Sequence, residues 1–385
     1  MDKELETAGA LALNRIFGYE PGISRQIVSR LGSAGALFTL SEKELDGIFG
    51  PYSKYHGAVS PRALDDAVSE LRSLRLQGMD FIAGTDPAFP ALLGECEDPP
   101  AGLYVRSSTP PDELFGRTPC IAVVGTRDIS PYGREWCGRI VRTLSEAPVR
   151  PVIVSGLAMG VDVTAHSAAL EEGLPTIAVI PVGIDDIYPK RHRTIAERMA
   201  GTPGCAIVSD YPPGTAPLPF NFLRRNRIIA GLSTATILVE SKSKGGGTMT
   251  AGLASGYGRD VFALPGRIDD ARSAGCNRLI AQKVAEPVFP LEALPDQLGL
   301  GHFHRSRRTD LAAEIRRRFE GSGRTEDLLL VAETVKSMRG IDPDGLSRVT
   351  GLPYSDVIFL AGMLENGGII VTDLLQRCSI NGKIS

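Results

Sequence analysis

The chain of 385 residues has one tryptophan, five histidines and six cysteines, and each scarcity excludes something. Cys96, Cys120, Cys137, Cys205, Cys276 and Cys378 are scattered, with no C-x-x-C pair and no histidine at zinc-ligand spacing. Reduced, mostly buried thiols are therefore expected, and a metal site or disulfide framework is not. No run of about 18 apolar residues occurs, and the first residues lack a basic segment leading into an apolar one, so a cytoplasmic protein without a membrane span is expected. Charge of one sign is missing too: 42 Lys plus Arg against 45 Asp plus Glu leaves a formal charge of -3. A site for a polyanion must then be local. There is no G-x-x-x-x-G-K-[ST] and no strand-linked G-x-G-x-x-G, which removes the usual support for ATP or NAD chemistry; no cofactor is expected. No Ser-His-Asp arrangement or metal cluster follows from spacing, and His166 reads as a structural hydrogen-bond partner.

What is present is ordinary globular composition, 43% hydrophobic and 23% charged, in a chain long enough for two or three domains. Contiguous apolar, β-branched runs recur at 120–125, 151–156, 176–181, 205–210, 234–240 and 260–266. Contiguity without alternation predicts strands buried on both faces. Segments of helical period lie between them, at 132–147 and 159–172, and this alternation predicts an α/β fold with a parallel sheet covered by helices on both faces. Residues 1–80 differ, with short helical patterns broken by small loops. Ile23, Ile27, Val28 and Leu31 share one helical face, and Ser41 with Glu44 forms a capping box. The stretch HFHRSRRTD at 302–310 reads as a basic linker within 301–324. Residues 325–385 read as a winged helix-turn-helix: a short helix, a turn at Gly351, a longer helix, a Gly-Gly stop and an apolar strand.

Ligands of open parallel sheets bind beyond the carboxyl ends of the strands, near the topological switch point. Those ends carry Gly125-Thr126-Arg127, Ser155-Gly156, and the segment from Glu240 to Thr248. Glycines at 156, 160 and 245–247 would let a ligand approach the backbone and would expose helix N-termini to an anion. Beside them, FNFLRRNRIIAGLS (220–233) gathers Arg224, Arg225 and Arg227 around Asn226, with Phe220 and Phe222 just ahead, and Lys242 and Lys244 follow the next strand. Cations interleaved with aromatic platforms hold single-stranded nucleic acid; the same arginines could instead form a solvated helix face or pair with Asp210 and Glu240.

The ordered set GTR (125–127), Tyr132-Gly133, SGLAMGVDVTAH (155–166), IDDIYP (184–189), SDYPPG (209–214), FLRRNRIIAGLS (222–233) and FALPG (262–266) resembles the DprA/Smf family of DNA-processing proteins. The match runs from about Asp86 to Pro290. The resemblance implies a doubly wound, Rossmann-like core (81–300) that binds single-stranded DNA, dimerises and loads the RecA recombinase during natural transformation, without hydrolytic activity. It places Arg127, Phe222, Arg225, Asn226 and Arg227 at the DNA pocket. Residues 125, 126, 155, 156, 224, 242, 244, 246 and 247 join them as candidates from their place on the strand edge. It also likens the N-terminal helices to a SAM-like or helix-hairpin-helix unit and the terminal unit to a winged helix.

Two rival readings use the same residues. Phosphoribohydrolases resembling lysine decarboxylases share the fold and carry a catalytic glutamate after P-G-G-x-G-T; here Gly252 and Leu253 stand where that acid belongs. A winged-helix transcription regulator would need cations on its recognition helix. Residues 353–366 contain no Lys or Arg, and from 325 to 385 five basic residues face eight acidic ones. Protein contact suits that unit better than DNA.

Overall fold

The computed structural model describes residues 3–116, 119–301, 311–338, 340–373 and 376–380. They fall into two compact units, Met1–Phe303 and His304–Ser385. The basic stretch 302–310 lies outside the described residues.

The first unit is built on a nine-stranded sheet: β1 (Met79–Ala83), β2 (Gly102–Arg106), β3 (Cys120–Val124), β4 (Val152–Ser155), β5 (Thr176–Val179), β6 (Ala206–Ser209), β7 (Ala235–Leu238), β8 (Asp260–Ala263) and β9 (Glu286–Pro287). Their spatial order is β1-β2-β6-β5-β4-β3-β7-β8-β9. Strands β3 to β8 match the six apolar runs and are mutually parallel. Every residue of β3 to β7 is buried, so contiguous Val, Ile and Ala served both faces.

The two faces separate by the period of two along each strand. In β3, Ile121 and Val123 join the cluster of Cys137, Ile140, Val141 and Leu144 on the helix Pro131–Ser145 and Ala165 and Ala169 on the helix Val161–Glu171. Ala122 and Val124 face Ile228, Ile229 and Leu232 of the helix Pro219–Leu232 and Ala251 and Ala254 of the helix Gly246–Gly256. Burying an Ile or Leu side chain contributes about 1.5–3 kcal/mol, so this double layer fixes the strand ends firmly. From β3 the chain winds through β4, β5 and β6 to one side, then returns to set β7 on the other. The switch point therefore lies between the carboxyl ends of β3 and β7.

Strands β1 and β2 pair antiparallel, and β2 runs antiparallel to β6. They were not apparent as strands in the sequence, because Asp80 interrupts one apolar run and the other begins on Gly102 and ends on Arg106, so neither is a contiguous β-branched stretch. The helices Lys3–Phe17 and Pro61–Leu76 pack Leu11, Leu13, Phe17, Leu71 and Leu74 into one cluster with Phe81, Tyr104, Ile180 and Ile207 of the sheet region. The N-terminal helices thus share a core with the sheet inside the first unit. The capping box at Ser41 and Glu44 is formed, and all six cysteines are buried.

The second unit has helices Leu311–Arg318, Thr325–Ser337, Pro343–Thr350 and Tyr354–Asn366 and a hairpin of β10 (Ile370–Thr372) with β11 (Cys378–Ile380). Ile315, Leu328, Val331, Leu346, Val357 and Leu360 are among its core residues. Asp342 caps the third of these helices by accepting from Gly345 N at 2.7 Å, and Gly351 ends it at φ +74°.

Candidate nucleic-acid interface

Three loops meet at the switch point, and their backbones are knitted together. Thr126 N donates to Glu240 O at 2.7 Å, and Val161 N donates to Thr126 O at 3.1 Å. A Cβ at Gly125 would sit 2.5 Å from Val161 Cγ2 and 2.7 Å from Glu240 O, and one at Gly247 would sit 2.9 Å from Gly125 Cα. Gly125 and Gly247 therefore close the loops on each other. Gly246 differs: nothing lies within 4 Å of its missing Cβ, and it is exposed at the start of the helix Gly246–Gly256. Its N–H belongs to a first helical turn that has no partner within the helix.

Arg127 emerges directly after this knot and is exposed. Its guanidinium lies over the Phe222 ring at 4.8 Å from the centroid, and Phe222 meets Tyr188 edge-on at 5.4 Å. An arginine stacked on an aromatic ring keeps its charge while losing rotational freedom. Lys242 and Lys244 are exposed on the loop after β7. Glu240, by contrast, does not pair with the arginines. It is 1% exposed, and its carboxylate accepts from Ser130 N at 2.9 Å and Ser130 Oγ at 2.5 Å at the start of the Pro131–Ser145 helix. The absent side chain of Gly133 makes room for that carboxylate, which is the physical sense of the Tyr-Gly pair.

The arginine-rich helix divides its residues between surface and interior. Arg225 is 4% exposed, and its Nη1 donates to Gly156 O at 2.6 Å and to Val179 O. A Cβ at position 156 would occupy the space of this guanidinium. Burial lowers the Arg225 pKa to about 10, against the attraction of Asp162, whose own carboxyl burial pushes up. Arg227 is also 4% exposed; its Nη2 meets Asp210 Oδ2 at 2.7 Å and its Nη1 donates to Asp98 O. Asn226 is buried, and Ser155 is buried with Oγ donating to Val123 O at 2.6 Å. Arg224 is half-buried, donates to Gly18 O and lies over the Tyr19 ring at 4.9 Å.

The candidate residues thus divide between surface and interior. Arg127, Lys242, Lys244, Gly246 and part of Phe222 and Thr126 face outward. Ser155, Gly156, Arg225, Asn226 and Arg227 are interior. The reason is that the helix from Pro219 dives beneath the sheet edge, so its later arginines satisfy carbonyls and a carboxylate of the fold. The carbonyls come from segments 46 to 129 residues away, which no local pattern could pair, whereas the Asp210 carboxylate is 17 residues away and is the partner the sequence left open as an alternative. Sequence reasoning also missed Tyr19, because residue 19 lies far from the motifs in the chain.

Beneath the edge, His166 Nδ1 is 2.7 Å from Thr176 Oγ1, which itself donates to Ile153 O at 2.8 Å, so the histidine donates and Nε2 is left as a buried acceptor. Burial, with Arg225 and His192 nearby, lowers its pKa to about 3. The unfolded chain therefore binds this proton more readily between about pH 6.5 and 3. The stabilising contribution is complete above pH 6.5 and is lost as pH falls through that window, by up to about 1.4 kcal/mol per pH unit. We expect the urea midpoint to drop from pH 7 to pH 5, with a smaller drop in His166→Asn; equal drops in both proteins would refute this assignment.

The sequence model described as DNA recombination-mediator protein A matches residues 80–299. The chain belongs to that family. Relatives include the DNA processing protein DprA of Streptococcus pneumoniae, 41% identical over 51% of this chain and 67% of that one. DprA of Bacillus subtilis is 36% identical over 59% of this chain and 75% of its own length. Protein Smf of Synechocystis is 40% identical, and the match spans about half its length, 49%, and 52% of this chain. The crystal structure of DNA processing protein A from Streptococcus pneumoniae superposes with a TM-score of 0.59 at 31% identity, over 76% of this chain and 95% of that one. Among the described residues, no helix is long and apolar enough to cross a membrane.

Proposed function

We propose that this protein binds single-stranded DNA along the carboxyl edge of its sheet and, as a homodimer, delivers it to the RecA recombinase, without catalysing a reaction on the strand. The observation that carries the reading is Arg127: an exposed guanidinium at the switch point, fixed on Phe222, beside the open Gly246 backbone and the two loop lysines. Phosphates meet cations and free N–H groups there, while the aromatic face accepts a base of any identity. The family description, recombination mediation, fits a protein that holds DNA for another. Arg225, Arg227 and Gly156 position this edge from within.

The helix Gly246–Gly256 contains no acidic residue, which favours holding over the glycosidic cleavage of the phosphoribohydrolase reading. We read the N-terminal helices as the SAM-like unit and the second unit as a winged helix whose long helix contacts protein. That helix leaves Ile358 and Phe359 exposed and carries no cation.

The test is fluorescence anisotropy of the full chain with an oligonucleotide and its duplex across a salt series. With three or four phosphates neutralised, log K should fall with log salt at a slope of roughly -2 to -3, and the single strand should bind more tightly. A slope near zero or a preference for duplex would sink the reading, and release of free base from nucleoside monophosphates would install the enzyme in its place. Delivery to RecA would show as faster RecA assembly on the strand when the protein is added.

A further inference from the structure

Beside the phosphate-facing edge lies a second feature, a cleft of about 610 Å³ between the segment after the Lys3–Phe17 helix and the outer face of the Pro219–Leu232 helix. Tyr19, Phe220, Leu223 and Met249 line it, with Gln26 and Asp98 as polar wall. Tyr19 is 56% exposed and Phe220 59% exposed, and the two lie side by side. Their centroids are 6.1 Å apart and their planes 33° from parallel.

The charges around the cleft are already answered within the protein. Glu20 pairs with Lys54 at 2.9 Å, Asp98 accepts from Tyr257 Oη at 2.7 Å, Arg227 pairs with Asp210, and Arg224 donates to Gly18 O while covering Tyr19. A phosphate would find the carboxylates of Glu20 and Asp98 here, while Arg227 is held by Asp210 and Arg224 lies over the Tyr19 ring. A nucleobase would find two aromatic faces, a cation at the lip and amide or carboxylate groups for its edge.

The placement of the Pro219–Leu232 helix joins this cleft to the edge. At 100° per residue, positions 220 and 224 share one face while 222 points to the opposite side. Phe222 turns to Arg127 and Phe220 and Arg224 turn to Tyr19. The two aromatic stations are therefore separated by about one helix diameter, roughly 10 Å.

The geometry points to a base-binding subsite: the cleft of Tyr19 and Phe220 takes an unstacked base of the same strand whose phosphates lie on Arg127, Lys242 and Lys244. This rests on the single-strand reading above and extends it, giving the N-terminal helices a part in holding DNA. The subsite reads aromatic stacking area more than base identity, so it lengthens the footprint without imposing a sequence.

The test uses the full chain and three probes: oligo(dT), the same oligomer with abasic sites throughout, and oligo(dT) carrying 4-thiothymidine for crosslinking. Tyr19→Ala and Phe220→Ala should each weaken oligo(dT) binding about tenfold with an unchanged salt slope, since no phosphate contact is lost. Tyr19→Phe should bind as the wild type does, which controls for folding. The abasic oligomer should be indifferent to all three substitutions, and the crosslink should map to Tyr19 or Phe220. If the wild type binds oligo(dT) with the expected slope but both alanine variants match it, the subsite is wrong and the single-strand reading stands. If the wild type binds no single strand, the single-strand reading fails first and the subsite with it. Conversion of a dimer to a monomer by Phe220→Ala, with DNA affinity lost only in proportion, would assign the cleft to a second copy and overturn the subsite.

Discussion

Arg227→Met is expected to lower the stability of the first unit by about 3–5 kcal/mol, the usual cost of stranding one partner of a buried ion pair. Arg227 and Asp210 have side chains only 5% and 2% exposed, and their bond is 2.7 Å. Asp210 Oδ1 has no other partner among the described residues, and Asp210 O accepts from Asn14 Nδ2 at 2.8 Å. The pair thus ties the loop after β6 to both the Pro219–Leu232 helix and the first helix of the chain. Methionine fills the volume but leaves a carboxylate in a dry site, which must take up a proton or open the loop to water. Adding Asp210→Asn should return most of the loss, because the stranded charge is gone. Urea unfolding of the four proteins in the cycle decides it. A loss in Arg227→Met that Asp210→Asn leaves untouched would mean that the pair is not what the arginine supports.

That expectation also explains why the fold was more legible in the sequence than the site. Strands β3 to β8 announced themselves because a central parallel strand must be apolar on both faces, and six such runs with helical segments between them admit few arrangements. The switch point followed, and with it the glycine loops and Arg127, since strand ends are where an open sheet binds ligands. The arginines at 224, 225 and 227 could not be sorted the same way. Their cations are alike in sequence, and what separates them is whether an acceptor from a distant segment reaches each one. Val179 O, Gly156 O and Asp98 O are brought there by the packing of distant segments; only Asp210, 17 residues before Arg227, was within reach of the sequence as a partner. Gly156 illustrates the point: it looked like a place for ligand to approach, and the group that approaches is the Arg225 guanidinium. Tyr19 had no motif around it; only the packing of Leu11, Leu13 and Phe17 on the sheet region brings it beside Phe220.

Arg127→Ala should show the opposite signature from Arg227→Met: little change in stability and a large loss of DNA affinity. The side chain is exposed, its backbone is fixed by Thr126 and Val161 irrespective of what residue 127 carries, and no carboxylate is left unpaired when it goes. The cation–aromatic contact with Phe222 is worth only about 0.5–1 kcal/mol at an exposed site. A charge-assisted phosphate contact is worth about 1.5–3 kcal/mol, so affinity for a single strand should fall roughly ten- to a hundredfold. One neutralised phosphate fewer should also make the salt slope shallower by about 0.7. The slope is the more discriminating readout, because a variant that merely disturbs Phe222 would weaken stacking and leave counterion release unchanged. Arg127→Lys should restore most of the slope but only part of the affinity, since an ammonium neutralises charge without the paired geometry or the flat stacking of a guanidinium. A well-folded Arg127→Ala protein with wild-type affinity and slope would remove this residue, and with it the switch-point edge, from the DNA path.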